Sequence, residues 1–332
     1  MEWEFELFYL VTYVLSFKYG VLGKEKPNMP KKEYTNEEIA QAAHNIRKRI
    51  LGLAIERGGC YLAQACSSAE IVASLYMRIL NIGPSLGLKD AQAFPGVPGP
   101  DNMDYPKGSL YNGYDSKNPD YTKDRLFVSC CHYASVLYCA LVESGRLGAE
   151  AIDKFNVDGW NMEMIGAEHS PGFENTAGSL GQTVSIAAGT AHAYKMKGHT
   201  GRIFCMLSDG ELEEGQDWEC FQAAAFYGLD NFIVYVDVNH QQLEGWTKDV
   251  MNTEPMTDRM KAFGWEVVSI DGHDIDALAN AANTPHEGKP LMVLCQTNPS
   301  QGVPVMDYMM PKHFIRIPAD KKQEFVDFYE NM

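Results

Sequence analysis

Oxygen-bearing side chains follow two apolar runs of this sequence, at the point where each run ends. Asp209 comes directly after GRIFCMLS, and Asn239 follows the later run NFIVYVDV. One carboxylate, one amide oxygen and a nearby main-chain carbonyl are an incomplete set of hard ligands, which Mg²⁺ accepts when phosphate oxygens and water complete its shell. Gly210, beside Asp209, would let the backbone approach an anion closely. The pattern predicts a site for a magnesium-bound phosphate group.

The elements that must position these residues are predicted to be strands that alternate with helices. The strand candidates are continuous apolar runs, which are typical of a parallel sheet covered on both faces. Because the carboxyl ends of parallel strands meet at one edge, where ligands bind in such sheets, Asp209 and Asn239 should converge. We therefore expect a three-layer α/β/α fold with a mainly parallel sheet. The predicted strands are 125–129, 201–207, 231–237, 265–270 and 291–297.

Local signals predict where several helices begin. Thr35 and Glu38 fit a capping box that is followed by apolar residues at helical spacing. A second helix is predicted over 67–80, beginning at Ser67 or Ser68. Residues 81–124 are rich in Gly, Pro, Asn and Asp and have no periodicity, which is typical of a functional loop or an insertion. Further helices are predicted at 132–144, 213–227, 274–283 and within 318–332.

Composition limits the possible partners. The 332 residues include 28 Lys and Arg against 44 Asp and Glu, for a net charge of −16. Such a surface repels phosphate backbones, so nucleic-acid binding is a poor expectation, and a bound phosphate needs a local device such as a metal ion. The eight cysteines include no CxxC pair, so we expect reduced thiols in the core of a cytoplasmic protein.

The first 28 residues are predicted to be an N-terminal extension to a domain that occupies 29–332. The apolar run from Leu7 to Phe17 is too short to span a bilayer as a helix, so no membrane association is expected. Acidic residues rather than basic ones precede it, which makes it a poor signal peptide. Two explanations stay open: Met29 is the biological start, or the extension is a docking segment.

Four blocks, in order along the chain, carry a resemblance to a known family. SDGELEEGQDWECFQAAAFYGLDNFIVYVDVNHQQLEG (208–245) resembles the thiamine diphosphate signature of transketolases, with its Gly-Asp-Gly opening and Asp-x-Asn-x-x-Gln close. Block 171–191 resembles the family's Pro-Gly-x-Glu-x-x-x-Gly-x-Leu-Gly-Gln segment. Block 115–145 resembles its Asp-Arg-Phe-x-x-Ser-x-Gly-His segment, and block 296–313 resembles a later region that ends in a histidine. The resemblance covers about residues 35–315 and implies the thiamine diphosphate-binding fold, as its diphosphate-binding domain.

The resemblance implies roles for individual residues that would hold the cofactor. Asp209 and Asn239 would bind Mg²⁺ through their side chains, and Gln241 would bind it through its main-chain carbonyl. Gly210 would contact the diphosphate of thiamine diphosphate. The aminopyrimidine end of the cofactor would be held by the backbone at Gly178 and Leu180.

The same resemblance implies catalytic roles for two histidines and two glutamates. His132 and His313 match the histidines near the diphosphate and the reacting carbon. Glu214 and Glu219 match residues that couple the cofactors across a dimer interface. Structural explanations stay open as well: the glutamates share a helix with Asp217 and fit a solvated face, His313 fits an ordinary loop, and His132 fits the core.

Four positions depart from the family pattern. Ser208 replaces the first Gly of Gly-Asp-Gly, and Cys131 replaces the Gly before the conserved His. Tyr61 stands where a substrate histidine is expected. Met164 falls at the histidine of the usual Gly-His-Pro, with His169 a few residues further on. These changes leave the cofactor residues in place and put the identity of the sugar substrates in question.

The chain length implies that half of the active site is supplied by another chain. In this superfamily a second, pyrimidine-binding domain provides the glutamate that activates the cofactor, and the present sequence ends near the close of the first domain. The resemblance therefore implies the diphosphate-binding subunit of a split transketolase, which is active with a separate C-terminal subunit in a dimer of heterodimers. It would transfer a two-carbon ketol unit from a ketose, phosphorylated or otherwise modified, to an aldose.

Other functions stay open at this stage. The α subunit of a 2-oxo acid dehydrogenase is also a lone diphosphate-binding chain, although the continuation over 211–219 favours transketolase. Half of a 1-deoxyxylulose-phosphate synthase is a further possibility. A non-catalytic paralogue that serves as a partner-binding subunit would fit Ser208 and Tyr61, whereas Asp209 and Asn239 oppose it. A nucleotide-binding Rossmann enzyme is disfavoured because no GxGxxG follows a predicted strand.

Overall fold

The structure is a computed structural model, and it describes residues 33–94, 96, 100–101, 105–310 and 312–332. The predicted extension over residues 1–28 lies outside the described residues, so both explanations of it stay open. The boundary predicted at residue 29 likewise stays a prediction.

A five-stranded parallel sheet forms the centre of the fold, as the continuous apolar runs predicted. Its spatial order is β1-β2-β3-β7-β6, and every neighbouring pair runs parallel. Ser208 pairs with Asp237 across two neighbouring strands, so both strands end at the same edge. Two short strands, β4 and β5, form an antiparallel hairpin just beyond that edge. The strands are β1 Arg125–Val128, β2 Ile203–Ser208, β3 Phe232–Val238, β4 Gln241–Gln242, β5 Gly245–Trp246, β6 Glu266–Asp271 and β7 Leu291–Gln296.

Helices cover both faces of the sheet, which confirms the three-layer α/β/α prediction. One apolar cluster packs α1, α2, α3 and α8 against one face, and a second packs α4, α5 and α7 against the other. The central strands β2 and β3 are buried at every residue because they have a helical layer on each side. The helices are α1 Asn36–Arg57, α2 Leu62–Ser74, α3 Ala134–Glu143, α4 Thr183–Met196, α5 Gly215–Phe226, α6 Thr247–Val250, α7 Met256–Ala262, α8 Ile275–Ala281 and α9 Lys322–Asn331.

The start of α1 confirms its sequence signal, and the start of α2 does not. The Thr35 side chain accepts from the Glu38 N–H and the Glu38 carboxylate accepts from the Thr35 N–H, which completes the capping box. The prediction that α2 begins at Ser67 or Ser68 is wrong, because the helix begins at Leu62. The Ser68 hydroxyl donates back to the main-chain oxygen of Gln64 within the helix, and the Ser67 hydroxyl donates to Asp237, so neither caps its end.

Helix α4 was not predicted from its sequence. Its run TVSIAAGTAHAYKM has small and polar residues on most positions, so the apolar period is weak. The segment 81–124 contains only a 3₁₀ turn, Gly108–Asn112, as regular helix in its described part, in agreement with the missing periodicity. The eight cysteines are buried with free thiols, as expected. Within the described ranges, no helix is both long and apolar enough to cross a bilayer.

Candidate functional site

Asp209 and Asn239 converge at the carboxyl edge of β2 and β3. One Asp209 oxygen, Oδ2, accepts from the His240 N–H at 2.6 Å, and Oδ1 accepts from the Gly210 N–H at 3.0 Å. Asn239 Oδ1 accepts from the Gln241 N–H at 3.0 Å. Both oxygen-bearing side chains are buried and engage the same turn, in which His240 has a positive φ of 62°. The structure thus brings together the two side chains that the sequence paired.

A buried carboxylate, Asp237, fixes the orientation of Asn239. Asn239 Nδ2 donates to Asp237 Oδ2 at 2.9 Å, which leaves the amide oxygen turned toward the 240–241 turn. Asp237 Oδ2 also accepts from Ser67 Oγ at 2.6 Å and from the Tyr133 hydroxyl at 2.7 Å, and Thr297 donates to its other oxygen. Each hydroxyl comes from a different element, so four parts of the chain fix one amide rotamer.

The electrostatics of this edge fit a bound cation. Asp209 is 1% exposed, and burial, with the nearby charge of Asp237, raises its pKa well above the ordinary value. No Lys or Arg in the described part of the chain forms an ion pair with either carboxylate. A buried carboxylate without a counter-ion is costly, and a divalent metal would compensate it.

The donor set fits Mg²⁺ with a phosphate ligand rather than a closed protein cage. Among the described residues no three His, Cys, Asp or Glu side chains cluster as a metal site. One carboxylate, the Asn239 amide oxygen and the predicted Gln241 carbonyl would leave positions for phosphate and water. The side chain of Gln241 is engaged elsewhere, since its Oε1 accepts from the Lys312 N–H at 3.3 Å.

The backbone positions predicted to hold the cofactor lie beside this edge or on an open loop near it. A Cβ added to Gly210 would come within 3.2 Å of Gln242 Cβ, so the backbone there is close to the β4–β5 hairpin. Gly178 is exposed and has open space around it, and Leu180 is half-buried. The next residue, Gly181, donates its N–H to Glu211 Oε1 at 2.8 Å, which ties this loop to the turn after Asp209.

His132 and His313 lie together, with Tyr61 beside them. The ring centroids of the two histidines are 4.9 Å apart, and the Tyr61 ring lies 5.2 Å from His132 and 5.5 Å from His313. The Gln64 side-chain amide contacts His313 Nδ1 at 3.0 Å. The buried Nε2 of His132 has no hydrogen-bond partner in the described structure.

Burial disfavours the charged form of both histidines. Burial, and to a lesser extent the charge of His313, lowers the pKa of His132 to about 3. Burial also lowers the pKa of His313. A neutral imidazole can accept a proton at one nitrogen and donate at the other, which is what general acid–base catalysis requires.

The predicted glutamates Glu214 and Glu219 are exposed, and two other acids beside them are buried. Glu211 accepts from Ser129 and from the Gly181 N–H, and burial raises its pKa to about 7. Burial, together with the charges of Glu211 and Glu214, raises the pKa of Asp217 to about 9. The first turns after β2 therefore combine two exposed glutamates with two buried carboxyl groups whose charged form is disfavoured.

The positions that depart from the family pattern lie at this site or beside it. Tyr61 contacts both histidines, as described above. Met164 lines a cavity next to Tyr61, together with Phe314. His169 does not occupy the missing histidine's place in that lining: its ring stacks on Phe94 at 4.0 Å and contacts Glu163 Oε2 at 2.6 Å.

Comparison with known proteins identifies the family. Residues 108–321 match the family model described as the thiamine diphosphate binding domain of transketolase. This stretch is more than half of the chain and contains Asp209, Asn239, His132 and His313. The chain belongs to the transketolase family. Its resemblance to transketolases in sequence is thereby confirmed, and thiamine diphosphate is the cofactor that this domain binds.

Relatives of this transketolase-family chain include separate subunits. It is 30% identical over 286 residues to the 6-deoxy-6-sulfo-D-fructose transketolase subunit SqwG of Clostridium sp., covering 85% of this chain and 93% of that one. It is 31% identical over 270 residues to an apulose-4-phosphate transketolase subunit of Actinobacillus succinogenes, covering 80% and 87% respectively. A solved transketolase from Campylobacter jejuni shares its fold with a TM-score of 0.71 at 22% identity, covering 90% of this chain and 43% of that one.

Sequence reasoning missed the buried residues whose hydrogen bonds position the predicted site residues at the sheet edge. Asp237 could have been noticed as an acid in the otherwise apolar run FIVYVDV, and Gln64 as an amide that shares the fully buried helix α2 with Ser67 and Ser68. Nothing in the sequence connects Tyr133 or Thr297 with Asp237. The metal, cofactor-contact and catalytic roles of the ten site residues named from the sequence stay predictions.

Proposed function

We propose that this chain is the diphosphate-binding subunit of a two-subunit transketolase, which transfers a two-carbon ketol unit from a ketose to an aldose. The observation that carries the proposal is the convergence of Asp209 and Asn239 at the sheet edge, in a family-matched domain. The near full-length match to two chains named as transketolase subunits supports a separate partner. In this proposal the partner contributes the pyrimidine-binding domain.

The chain's part in cofactor binding is to hold a charged diphosphate against an acidic surface. Asp209, Asn239 and the Gln241 carbonyl would ligate Mg²⁺, and Gly210 would admit the diphosphate to the backbone. Gly178 and Leu180 would line the aminopyrimidine end from the open loop. When bound, thiamine diphosphate supplies a carbanion for attack on carbonyl groups and an electron sink for the transferred unit.

His132 and His313 would move protons at the sugar. Their neutral rings lie together beside Tyr61, and the unpartnered Nε2 of His132 can accept a proton from a hydroxyl or donate one to a carbonyl oxygen. Burial lowers the pKa of both rings and so favours their neutral form. Their proposed role is to transfer protons as the carbon–carbon bond of the ketose breaks and as the new one forms.

The outer helical face supports assembly as a dimer of heterodimers. Helices α4 and α5 expose apolar side chains that include Ile186, Met196 and Phe226, and Glu219 lies on the same outer side of α5. Exposed apolar groups on neighbouring helices are typical of an interface. A second copy packed there would cover them and bring Glu214 and Glu219 to the junction.

The buried free thiols support a cytoplasmic location, and the net charge disfavours nucleic acid as a partner.

Calorimetry with thiamine diphosphate tests the cofactor assignment. The chain, co-purified with a partner that carries a pyrimidine-binding domain, should bind the cofactor only when Mg²⁺ is present. Asp209→Ala should abolish Mg²⁺-dependent binding, whereas Asp258→Ala, an exposed acid at the start of α7, should bind like the unchanged chain. Circular dichroism shows that each variant is folded. If Asp209→Ala binds the cofactor as tightly as the unchanged chain, the assignment is wrong.

Turnover tests the two-subunit assignment. Donor ketose and acceptor aldose should be converted by the two subunits mixed together and by neither alone. Full turnover by this chain alone would refute the split arrangement. Cofactor binding without turnover of any ketose by the assembled pair would instead identify a non-catalytic, partner-binding subunit, and turnover of a 2-oxo acid would identify a different thiamine enzyme.

A further inference from the structure

A cavity of about 270 Å³ lies beside the paired histidines and has no assigned role. It lies where the end of α1 meets the segment that follows His313, and both contribute lining residues. Most of its wall is apolar or glycine backbone, so it offers few hydrogen bonds to neutral hydroxyl groups. The lining residues are Leu53, Arg57, Gly58, Gly59, Phe155, Asn156, Met164, Phe314 and Arg316.

A single β-bridge connects this cavity with the catalytic edge. Cys60 and Ile315 exchange both main-chain hydrogen bonds, at 3.1 Å and 2.9 Å, and their side chains are buried. Side chains alternate along a strand, so their neighbours Gly59, Tyr61 and Phe314 face the other side. The Tyr61 and Phe314 rings are 5.0 Å apart; Tyr61 contacts the two histidines, and Phe314 lines the cavity.

Glycine at position 59 allows the segment that follows His313 to pack directly against the end of α1. A Cβ there would lie 2.7 Å from the main-chain oxygen of Ile315 and 3.0 Å from a ring carbon of Phe314. It would also lie 3.4 Å from Cγ of Arg316. The side chain of Arg316 therefore crosses directly above the glycine backbone.

The cavity lining is positively charged, whereas the chain as a whole is negatively charged. The chain carries 44 acidic against 28 basic residues, yet the described lining has two arginines and no acid. Arg57 donates to the main-chain oxygens of Phe155 and Asp153, and neither Arg57 nor Arg316 pairs with a carboxylate in the described structure. Arg316 lies over the Phe314 ring, 5.7 Å from its centroid. Two guanidinium groups without counter-ions favour an anion in the space between them.

We propose that this cavity binds the distal anionic group, a phosphate or a sulfonate, of the sugar whose reacting end lies at His132 and His313. Arg316 would be the mobile clamp, because its guanidinium is exposed and uncommitted. Arg57 would be the fixed one, because carbonyl bonds hold it in place. The inference rests on the proposed function and makes this chain, as well as its partner, a determinant of substrate specificity.

Binding measurements with defined probes test the proposal directly. D-Fructose 6-phosphate and D-fructose are titrated into the co-purified two-subunit protein, with the unchanged chain and with Arg316→Gln. We expect the phosphorylated ketose to bind more tightly than fructose, and Arg316→Gln to weaken only the phosphorylated one, by about tenfold to a hundredfold. Arg316→Lys should recover part of the loss. Methanesulfonate and inorganic phosphate as competitors show which of the two anions the cavity prefers.

Arg259→Gln is the matched control. Arg259 is also an exposed arginine without an ion pair that lies over an aromatic ring, 5.8 Å from the centroid of Trp218, and it is not part of the cavity lining. It should leave both titrations unchanged. Equal loss in Arg316→Gln and Arg259→Gln would mean that only the net charge matters, and the proposal would fall.

Kinetics separate this inference from the proposed function. Arg316→Gln should raise the KM for an anionic ketose with little change in kcat, and it should leave the Kd for thiamine diphosphate unchanged. If thiamine diphosphate binds with Mg²⁺ but Arg316→Gln changes neither the Kd nor the KM of the anionic sugar, the cavity assignment is wrong and the proposed function stands. If the Asp209 test fails as well, the proposed function fails with it.

Discussion

Single side chains at the sheet edge keep one orientation because other side chains prevent them from rotating. Asn239 keeps its amide oxygen on the 240–241 turn because Asp237 occupies its amide nitrogen. Asp237 can stay buried because Ser67, Tyr133 and Thr297 all donate to it. Asp209 has the larger uncompensated desolvation cost, because it accepts hydrogen bonds from backbone N–H groups but has no cation beside it among the described residues. A metal would therefore contribute most at this one residue.

Asp217 should make the stability of the chain depend on pH. Its pKa is about 9 in the folded chain, against 3.8 as the ordinary value, because of burial and the charges of Glu211 and Glu214. Between these two values the unfolded chain releases a proton that the folded chain keeps, so stability falls as pH rises from about 4 to 9. Asp217→Asn should remove this loss and stabilise the chain by about 1–3 kcal/mol at pH 8.

Urea unfolding of the isolated chain at pH 8 and at pH 5 measures the effect. The gain in Asp217→Asn should be clearly larger at pH 8 than at pH 5. Asp258→Asn, at an exposed position, should show no such difference. An equal gain at both pH values would show that charge on Asp217 is not the cause.

At the scale of elements, a buried network connects the first two helices with the loop after β7. Arg47 on α1 forms a bidentate pair with Glu70 on α2, and His273 Nδ1 contacts the same carboxylate at 3.0 Å. His273 Nε2 accepts from the Asn298 N–H at 2.9 Å. Burial raises the pKa of Glu70, but the hydrogen bonds from His273 and Arg47 more than offset this and lower it overall.

Glu70→Gln should destabilise the fold by about 3–5 kcal/mol, because it leaves the buried Arg47 charge without its counter-ion. Denaturant unfolding near neutral pH measures this loss. Glu324→Gln removes an exposed pair with Lys321 and should change the midpoint little. Similar midpoints for the two variants would show that the buried pair contributes no more than a surface pair.

Gly108, in the loop that the sequence marks as irregular, holds two backbone segments in close contact. A Cβ at this position would lie 2.0 Å from the main-chain oxygen of Ser170 and 2.5 Å from that of Phe173. Gly108→Ala should therefore destabilise the chain by about 1–3 kcal/mol.

The matched control is a glycine in α4 with open space around it. Gly189→Ala should raise the stability of the chain by up to about 1 kcal/mol. Thermal unfolding compares the two, and a loss in both variants would refute the packing argument.

The sheet and its binding edge were predictable, and the support around them was not. Apolar runs identify β2 and β3, and the geometry of parallel strands then brings Asp209 and Asn239 together without further information. Helix α4 was missed because its small residues weaken the period, and the start of α2 was misplaced because Ser67 and Ser68 resemble caps. The donors to Asp237 could not be predicted, since Ser67 lies 170 positions away from it in sequence.

At the scale of the molecule, the outer side of α4 and α5 exposes apolar side chains to solvent in the described structure. Phe226 is 81% exposed and Met196 is 75% exposed, whereas the inner sides of the same helices are buried. Such exposure is costly for an isolated chain, and a second copy would remove it.

Phe226→Glu should convert a dimer of heterodimers into single heterodimers, because it places a charge in the proposed interface. Sedimentation velocity on the co-purified complex measures the change in mass. Leu88→Glu, at an apolar residue that is 62% exposed elsewhere, should leave the mass unchanged. An unaltered mass for Phe226→Glu would place the contact on another surface.

The contact between Gln64 and His313 joins residues 249 positions apart, and the Cys60–Ile315 bridge closes next to it. During synthesis this contact therefore cannot form until nearly the whole chain has left the ribosome, and closing so long a loop is slow. Thiamine diphosphate, which this domain binds, will hold the edge closed by mass action once it forms. Chains that have not yet bound the cofactor should therefore stay open for longer, and open chains are the ones that proteases cleave.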